Sequence, residues 1–419
     1  MNRTANDLAQ PAAKTARREP TVDDVEFRAL YRKTKYVVET ADGWSLVVTR
    51  YRPTPQSFAQ PLLGEAMLLV HGFSQNRHAW TSGEFVKNLL FFGLDIHILE
   101  LRGHGKSSIE FQRERAAKKG HPPPVDLEWD WDIDSYFLYD VPAAVAGVKR
   151  ITRSERIFDC GHSMGGILGY GYAGIHDDFE GIVTIGAPAD IGRAALPVQL
   201  LALASPGINT AIDVTLAGLN LESRAGHLLG NLVKAATRKP TTDAPAGRNY
   251  RYLPIDSWLR FAADALDYAD QSPLLGMVAG RVNWLARQDR MATQDMRWLL
   301  REGGEKEPRK VVDQFFKWIR RGQMVCYRTG YDFTRGFEKI RVPMAIIFGD
   351  MDPLASIDST RSVYRKAKSD YLLWRPVKGN SHIELTIGHD IRQICYDIKN
   401  LVEFARVHRG RGPKVSPSR

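Results

Sequence analysis

The stretch "FDCGHSMGGILGY", Phe158 to Tyr170, sets Ser163 between Gly161 and Gly165. Just before it, "RIFDC" (Arg156–Cys160) has the character of a buried strand, and "GHSMGGILGYGYAGI" runs on at helical length. Strand, sharp turn and helix in that order place the serine on an elbow. There, small residues two before and two after it avoid backbone clashes. Ser163 would stand at a helix N-terminus, where free N–H groups and the helix dipole favour developing negative charge. The G-x-S-x-G pattern alone is weak evidence. It gains force only if the rest of the chain supplies what a reactive hydroxyl requires.

A serine hydroxyl is a poor nucleophile until an imidazole removes its proton and a carboxylate orients that imidazole. In the elbow arrangement the N–H after the serine, here that of Met164, is one oxyanion donor, and a loop after an earlier strand gives the second. "LLVHGFSQNRHAW" runs from a buried strand into His71-Gly72-Phe73, so the Phe73 N–H is the expected second donor. The acid should follow a late strand and the histidine the last one. "IIFGDMDPLAS" offers Asp350 and Asp352, and "VKGNSHIELTIGHD" offers His382 and His389. We take Asp352, three residues after Gly349 and just before Pro353, where the loop can turn inward. Asp350 is the alternative and would otherwise hold the turn through local N–H groups. Asp190 is a third candidate. His382 lies in the loop after "YLLWRPV", whereas His389 reads as part of the start of the final helix.

The other histidines read more plainly. His162 adjoins Ser163, but chain geometry aims it away, toward lining a pocket. His104, in "ELRGHGKSS", belongs to a glycine-rich turn whose Lys106 and Ser107 lack the spacing of a phosphate-binding loop. "HPPPVDLEWDWD" is an acidic, aromatic loop without metal-ligand spacing, so neither a metal nor a cofactor is expected.

Around these loops, strands and helices alternate. "KYVVET" and "SLVVTRY" flank "ADG" as a hairpin. "AMLLV" (Ala66–Val70) and "LDIHILE" (Leu94–Glu100) read as strands, with a helix from about Ser82 to Phe92 between them. "DVPAAVAGVKRI" follows with Asp140 as N-cap and Pro142 in the first turn. "GIVTIG" (Gly181–Gly186), "MAIIFG" (Met344–Gly349) and "YLLWRPV" (Tyr371–Val377) are later strands, and a last helix spans about Ile391–Val407. After Pro188 the alternation stops, and from about Asp190 to Glu338 the pattern is mostly helical. It includes "DSWLRFAADALDYAD", capped by Asp256 or Ser257, and the amphipathic "VVDQFFKWI" (Val311–Ile319). The alternation predicts an α/β fold: a mostly parallel sheet of about eight strands flanked by helices. The expected organisation is a flexible arm over 1–30, a core over 31–189 and a helical cap or lid inserted over 190–338. The core then resumes over 339–408, ahead of a basic, disordered tail at 409–419.

Composition sets outer bounds. A chain of 419 residues with 43% hydrophobic and 25% charged content is that of an ordinary globular protein. Cys160, Cys326 and Cys395 are scattered and odd in number, which favours free thiols in a reducing compartment. The opening residues have no apolar run of export-signal length, so a cytoplasmic location is expected. The apolar Leu196–Leu219 stretch is interrupted by Pro206 and Asp213 and reads as a buried or interfacial helix pair rather than a membrane span. Much of the net charge of +10 lies at the chain ends. It reads as a solvated tail with weak peripheral attraction to anionic lipid, and no nucleic-acid partner is expected.

With those parts placed, the chain resembles the α/β-hydrolase superfamily over residues 35–407. Within it the chain is most similar to the acid-lipase-related branch that includes lysosomal and gastric lipases. Tyr139-Asp140-Val141-Pro142-Ala143 is like that branch's Y-D-L-P-A, and "SHIELTIGHD" followed by "YDI" is like its H-x-D-F-x-x-G ending. "RGHGKSS" and "GHSMGG" are equally at home in bacterial monoacylglycerol lipases and general esterases. The resemblance implies Ser163, Asp352 and His382 as a triad, Phe73 and Met164 as N–H donors, a helical cap, and an ester, in particular a lipid ester, as substrate. Two competing readings remain at this point. One is an acyltransferase on the same machinery; the other is a scaffold of this fold that binds a partner without catalysis.

Overall fold

The computed structural model describes residues 21–55, 59–194, 251–267 and 286–409. Leu196–Leu219, most of the expected arm and the basic tail therefore lie outside the described residues. Residues 22–30 of the expected arm instead pack on the core: they form two 3-10 turns, and Val22 and Leu30 are buried there.

Eight strands form one sheet in the order β1-β2-β4-β3-β5-β6-β9-β10. They are β1 (Tyr31–Glu39), β2 (Ser45–Pro53), β3 (Ala66–Val70), β4 (Asp95–Leu99), β5 (Ile157–His162), β6 (Phe179–Ile185), β9 (Met344–Gly349) and β10 (Leu372–Val377). A separate pair is formed by β7 (Tyr252–Leu253) and β8 (Glu307–Pro308). β1 and β2 make the expected antiparallel hairpin, with Gly43 at φ +94° in the turn and the Thr40 hydroxyl accepting the Trp44 N–H at 2.9 Å. β2 also pairs antiparallel with β4, and every other pairing within this sheet is parallel.

The central strands are covered on both faces, so their sequences read as continuous apolar runs. Alternate residues serve opposite layers. Ala66, Leu68 and Val70 of β3 face one core cluster, and Met67 and Leu69 face the other. Met344, Ile346 and Phe348 of β9 divide from Ala345 and Ile347 in the same way. Each larger side chain among these contributes about 1.5–3 kcal/mol through burial. The first layer is closed by α3 (Val141–Thr152) and α4 (Met164–Ala173), the second by α1 (Phe85–Phe91) and α9 (Ile391–His408). Of the remaining helices, α2 spans Ile109–Lys119 and α8 spans Ile357–Lys366.

Two expected caps are not caps. Asp140 makes no capping bond, because the buried Arg102 claims its carboxylate: Asp140 accepts Arg102 Nε at 2.8 Å, Nη2 at 2.7 Å and the backbone N–H at 2.9 Å. The chain enters α3 through a π-helical turn over Tyr136–Asp140 instead. Asp256 and Ser257 lie inside α5 (Ile255–Asp267), which begins one residue earlier, directly after Pro254.

β6 and β9 are neighbours in the sheet, yet residues 186–343 separate them in sequence. The described parts of that segment include α5, α6 (Thr293–Glu302) and α7 (Arg309–Arg321). They pack in two ways. Ala263, Met296, Leu299 and Leu300 form a small cluster with Ile387, whereas Val311, Trp318, Phe333 and Phe337 join the main core beside α4. Among the described residues no helix is long and apolar enough to cross a membrane. All three cysteines are buried and free.

Candidate active site

Parallel strands end on one rim of the sheet, so loops that follow them meet there. Ser163 follows β5, His71 follows β3, Asp352 lies three residues beyond β9, and His382 five beyond β10.

The turn at Ser163 is built from small residues and strain. Ser163 adopts φ +52°, ψ −117°, a conformation that side-chain-bearing residues rarely take and that costs about 1–3 kcal/mol. Its N–H is tied to the Ile185 carbonyl at 2.8 Å. A Cβ at Gly161 would meet the Gly166 nitrogen at 2.3 Å, and one at Gly165 would meet the Val70 carbonyl oxygen at 2.2 Å. Both positions therefore require glycine.

The Ser163 hydroxyl stands 2.9 Å from His382 Nε2, and His382 Nδ1 stands 2.7 Å from Asp352 Oδ2. The Asp352 carboxylate accepts the Nδ1 proton, which leaves Nε2 free to accept from the serine. Asp352 is itself fixed, because its Oδ1 accepts the N–H groups of Leu354 at 2.8 Å and Ala355 at 3.0 Å. The carboxylate is fully buried and the imidazole nearly so. Burial pulls His382 down, but the charge and hydrogen bond of Asp352, with the charge of Glu384, outweigh it and hold His382 above its ordinary value.

The alternatives lie elsewhere. Asp350 accepts the Gly379 N–H at 2.7 Å and holds the turn. Asp190 pairs with Arg193 at 3.0 Å. His389 sits in the turn before α9, its N–H bonded to the Arg290 carbonyl at 2.9 Å.

Phe73 follows Gly72, which packs against Ser163, and Met164 follows Ser163 directly. Met164 is the first residue of α4, and neither its N–H nor that of Phe73 has an acceptor among the described residues. Gly72 lets the two loops approach, since a Cβ there would lie 3.0 Å from Ser163 Cβ and 2.8 Å from Gln75 Oε1. His71 is fully buried. Its Nδ1–H donates to the Gly72 carbonyl at 2.9 Å and its Nε2 accepts the Leu101 N–H at 3.2 Å. Burial, with the charge of His104, lowers it to about 3, so it is neutral.

Residues 65–383 match the family model of the alpha/beta hydrolase fold. The chain belongs to the α/β-hydrolase family. Human lysosomal acid lipase/cholesteryl ester hydrolase is 22% identical to this hydrolase-family chain over 136 residues, 32% of this chain and 33% of its own. Human lipase member J is 28% identical over 148 residues, 33% of this chain and 37% of its own. The chain thus spans about a third of the length of the lipases it matches. Among solved structures, DcsB in complex with its substrate analogue matches with a TM-score of 0.51 at 11% identity, over 89% of this chain and 100% of that one. At that identity the likeness is one of fold.

Two features of this α/β hydrolase escaped the sequence reading. His162 is buried beneath the loop rather than lining a pocket. Its Nδ1–H donates to Gln75 Oε1 at 2.9 Å, and the same oxygen accepts the Gly72 N–H at 3.0 Å. His104, read as part of a plain turn, meets the buried Glu307 at 3.1 Å. Neither contact leaves a motif, since each joins a single residue to a partner far along the chain.

Proposed function

We propose that this protein is a serine hydrolase that cleaves carboxylic esters through an acyl-enzyme. The observation that carries the proposal is the continuous chain from Asp352 through His382 to Ser163, with the serine on a strained turn at a helix N-terminus. Ser163 Oγ attacks the ester carbonyl as His382 Nε2 takes its proton. Asp352 keeps the imidazole in the required tautomer and stabilises the imidazolium that forms. The N–H groups of Phe73 and Met164 receive the tetrahedral oxyanion. His382 then returns its proton to the leaving alcohol, and water reverses the sequence to release the acid.

The lipase relatives support lipid esters as the substrate class. So does the half-buried aromatic pair of Phe73 and Phe315, with ring centroids 5.7 Å apart, which offers an apolar wall for an acyl chain. Phe315 belongs to α7, so in this reading the described part of the inserted segment supplies one side of that wall and caps the site from there.

Fluorophosphonate labelling of the full chain tests the nucleophile. Label is expected on Ser163 and absent from Ser163→Ala; label persisting on the variant would overturn the assignment. p-Nitrophenyl esters of graded length test the substrate class, and equal rates on acetyl and long-chain esters would count against an acyl pocket.

A further inference from the structure

Glu307 is fully buried in the strand β8, far in sequence from either reacting loop, and both of its carboxylate oxygens are occupied. Oε2 accepts the Ser74 N–H at 2.7 Å and lies 3.1 Å from His104 Nε2, while Oε1 accepts the Tyr136 hydroxyl at 2.9 Å. His104 Nδ1 faces the Arg102 carbonyl at 2.9 Å. Both ring nitrogens of His104 thus face acceptors, one of them a carboxylate, an arrangement that suits an imidazolium paired with Glu307. Burial opposes that charge, but Glu307 and Glu305 raise His104 to about 9.

The target of this pair is strained. Ser74 has φ +54°, a conformation uncommon outside glycine. Residues 305–307 hold it on every polar side. The Ser74 N–H goes to Glu307, its hydroxyl donates to the Glu305 carbonyl, and its own carbonyl accepts the Glu305 N–H at 2.9 Å. The side chain of Glu305 adds the Asn76 amide at 2.7 Å and the Gly105 N–H at 3.0 Å. β8 in turn pairs with β7, so the strap belongs to the inserted segment.

We propose that Glu307 is a positioning residue. By holding Ser74 in its left-handed conformation it aims the adjacent Phe73 N–H at the oxyanion, and it thereby makes the oxyanion site depend on the inserted segment being docked. The proposal rests on the serine-hydrolase reading above. A displaced donor lowers turnover without removing the nucleophile, and it leaves ground-state binding largely intact.

The test uses the full chain as wild type, Glu307→Ala and Glu307→Gln, with Ser163→Ala as the blank. Fluorophosphonate labelling taken to completion counts competent sites, and p-nitrophenyl butyrate turnover is expressed per labelled site. Glu307→Ala is expected to lower kcat per labelled site by about 30-fold with KM within about threefold. Glu307→Gln keeps an acceptor for Ser74 but cannot accept from all three partners, and it is expected to fall only about two- to fivefold below wild type. A merely structural role would lower the labelled fraction and leave kcat per labelled site unchanged, and that result overturns the proposal while the hydrolase reading stands. If Glu307→Ala yields no labelled protein, Glu307→Gln decides: turnover per site below about half of wild type supports the proposal, and equality overturns it. Absence of wild-type labelling, or labelling of Ser163→Ala, would instead remove the hydrolase reading and this proposal with it.

Discussion

The turn around Ser163 and the loop around Phe73 stand against each other at the sheet rim, yet they are held by opposite means. The first is a product of its neighbours in sequence: glycines at 161 and 165, a strand before and a helix after. The second has only a short local turn, Gly72 to Gln75, and leans on distant partners. Gly72 and Ser74 are held by Gln75, itself bonded to His162, and by Glu305 and Glu307, the latter 233 positions from Ser74. On the proposed function, the nucleophile is built into a continuous piece of chain, whereas the donor opposite it depends on the assembled fold. Substitutions on the two sides should therefore fail differently.

The largest effect belongs to the first side. Ser163→Ala is expected to cut ester turnover by on the order of 10^5-fold with little change in the thermal midpoint, because alanine meets the same backbone strain. Asp352→Asn follows, with a loss on the order of 10^4-fold, since an amide disfavours the tautomer that leaves Nε2 free. This variant also tests the electrostatics. As the proposed base, His382 is active only when neutral, and it lies above its ordinary value of 6.5, so kcat/KM should fall as pH drops through that raised value. Removing the Asp352 charge should move the acid limb to lower pH; an unmoved limb would assign it to another group. The stability consequence has the opposite sign. With its folded pKa raised, His382 contributes stability fully below the unfolded value and loses it as pH rises through the folded one. The asparagine variant should lose that contribution in denaturant titrations on the acid side.

The same contrast explains how much of the molecule was legible in the sequence. The bounds of β3 and β9 follow from their apolar runs, because both faces of a central strand are covered and nothing in the local pattern competes. The placement of Ser163, Asp352 and His382 on one rim follows from strand order. What resisted reading were residues whose roles are set by distant partners. Asp140 had every local mark of a cap and was diverted by the fully buried Arg102. Glu307 is one of three acids in "EGGEKEPRK" with no local mark to set it apart, yet its partners are residues 74, 104 and 136. No periodicity records such pairings. The inserted segment also divides unexpectedly, since Val311, Trp318 and Phe333 belong to the main core rather than to a separable lid.

A smaller effect sharpens the first side again. Gly165→Ala puts a methyl group against the Val70 carbonyl, where backbone rather than a flexible side chain must yield. A loss of about 3 kcal/mol in denaturant unfolding is expected, close to the upper range for overpacking. Activity should fall along with the folded fraction. A variant of wild-type stability would mean that the turn relaxes more readily than its geometry implies.

The smallest effect probes the second side at its nearest anchor. Gln75 is buried, and its Oε1 accepts from both Gly72 and His162. Gln75→Ala would leave the Gly72 N–H and the His162 Nδ1–H without that acceptor, at a cost of about 1–3 kcal/mol. Part of this cost should fall on stability and part on the aim of the Phe73 N–H. kcat should therefore drop roughly tenfold while KM stays nearly constant, because the donor acts on the transition state rather than on the bound ester. His162 is held neutral by burial and by the charge of His382, so it cannot replace the lost bond by becoming charged. If kcat holds and only the melting point falls, Gln75 is a packing residue and the donor loop takes its shape from Glu305 and Glu307 alone.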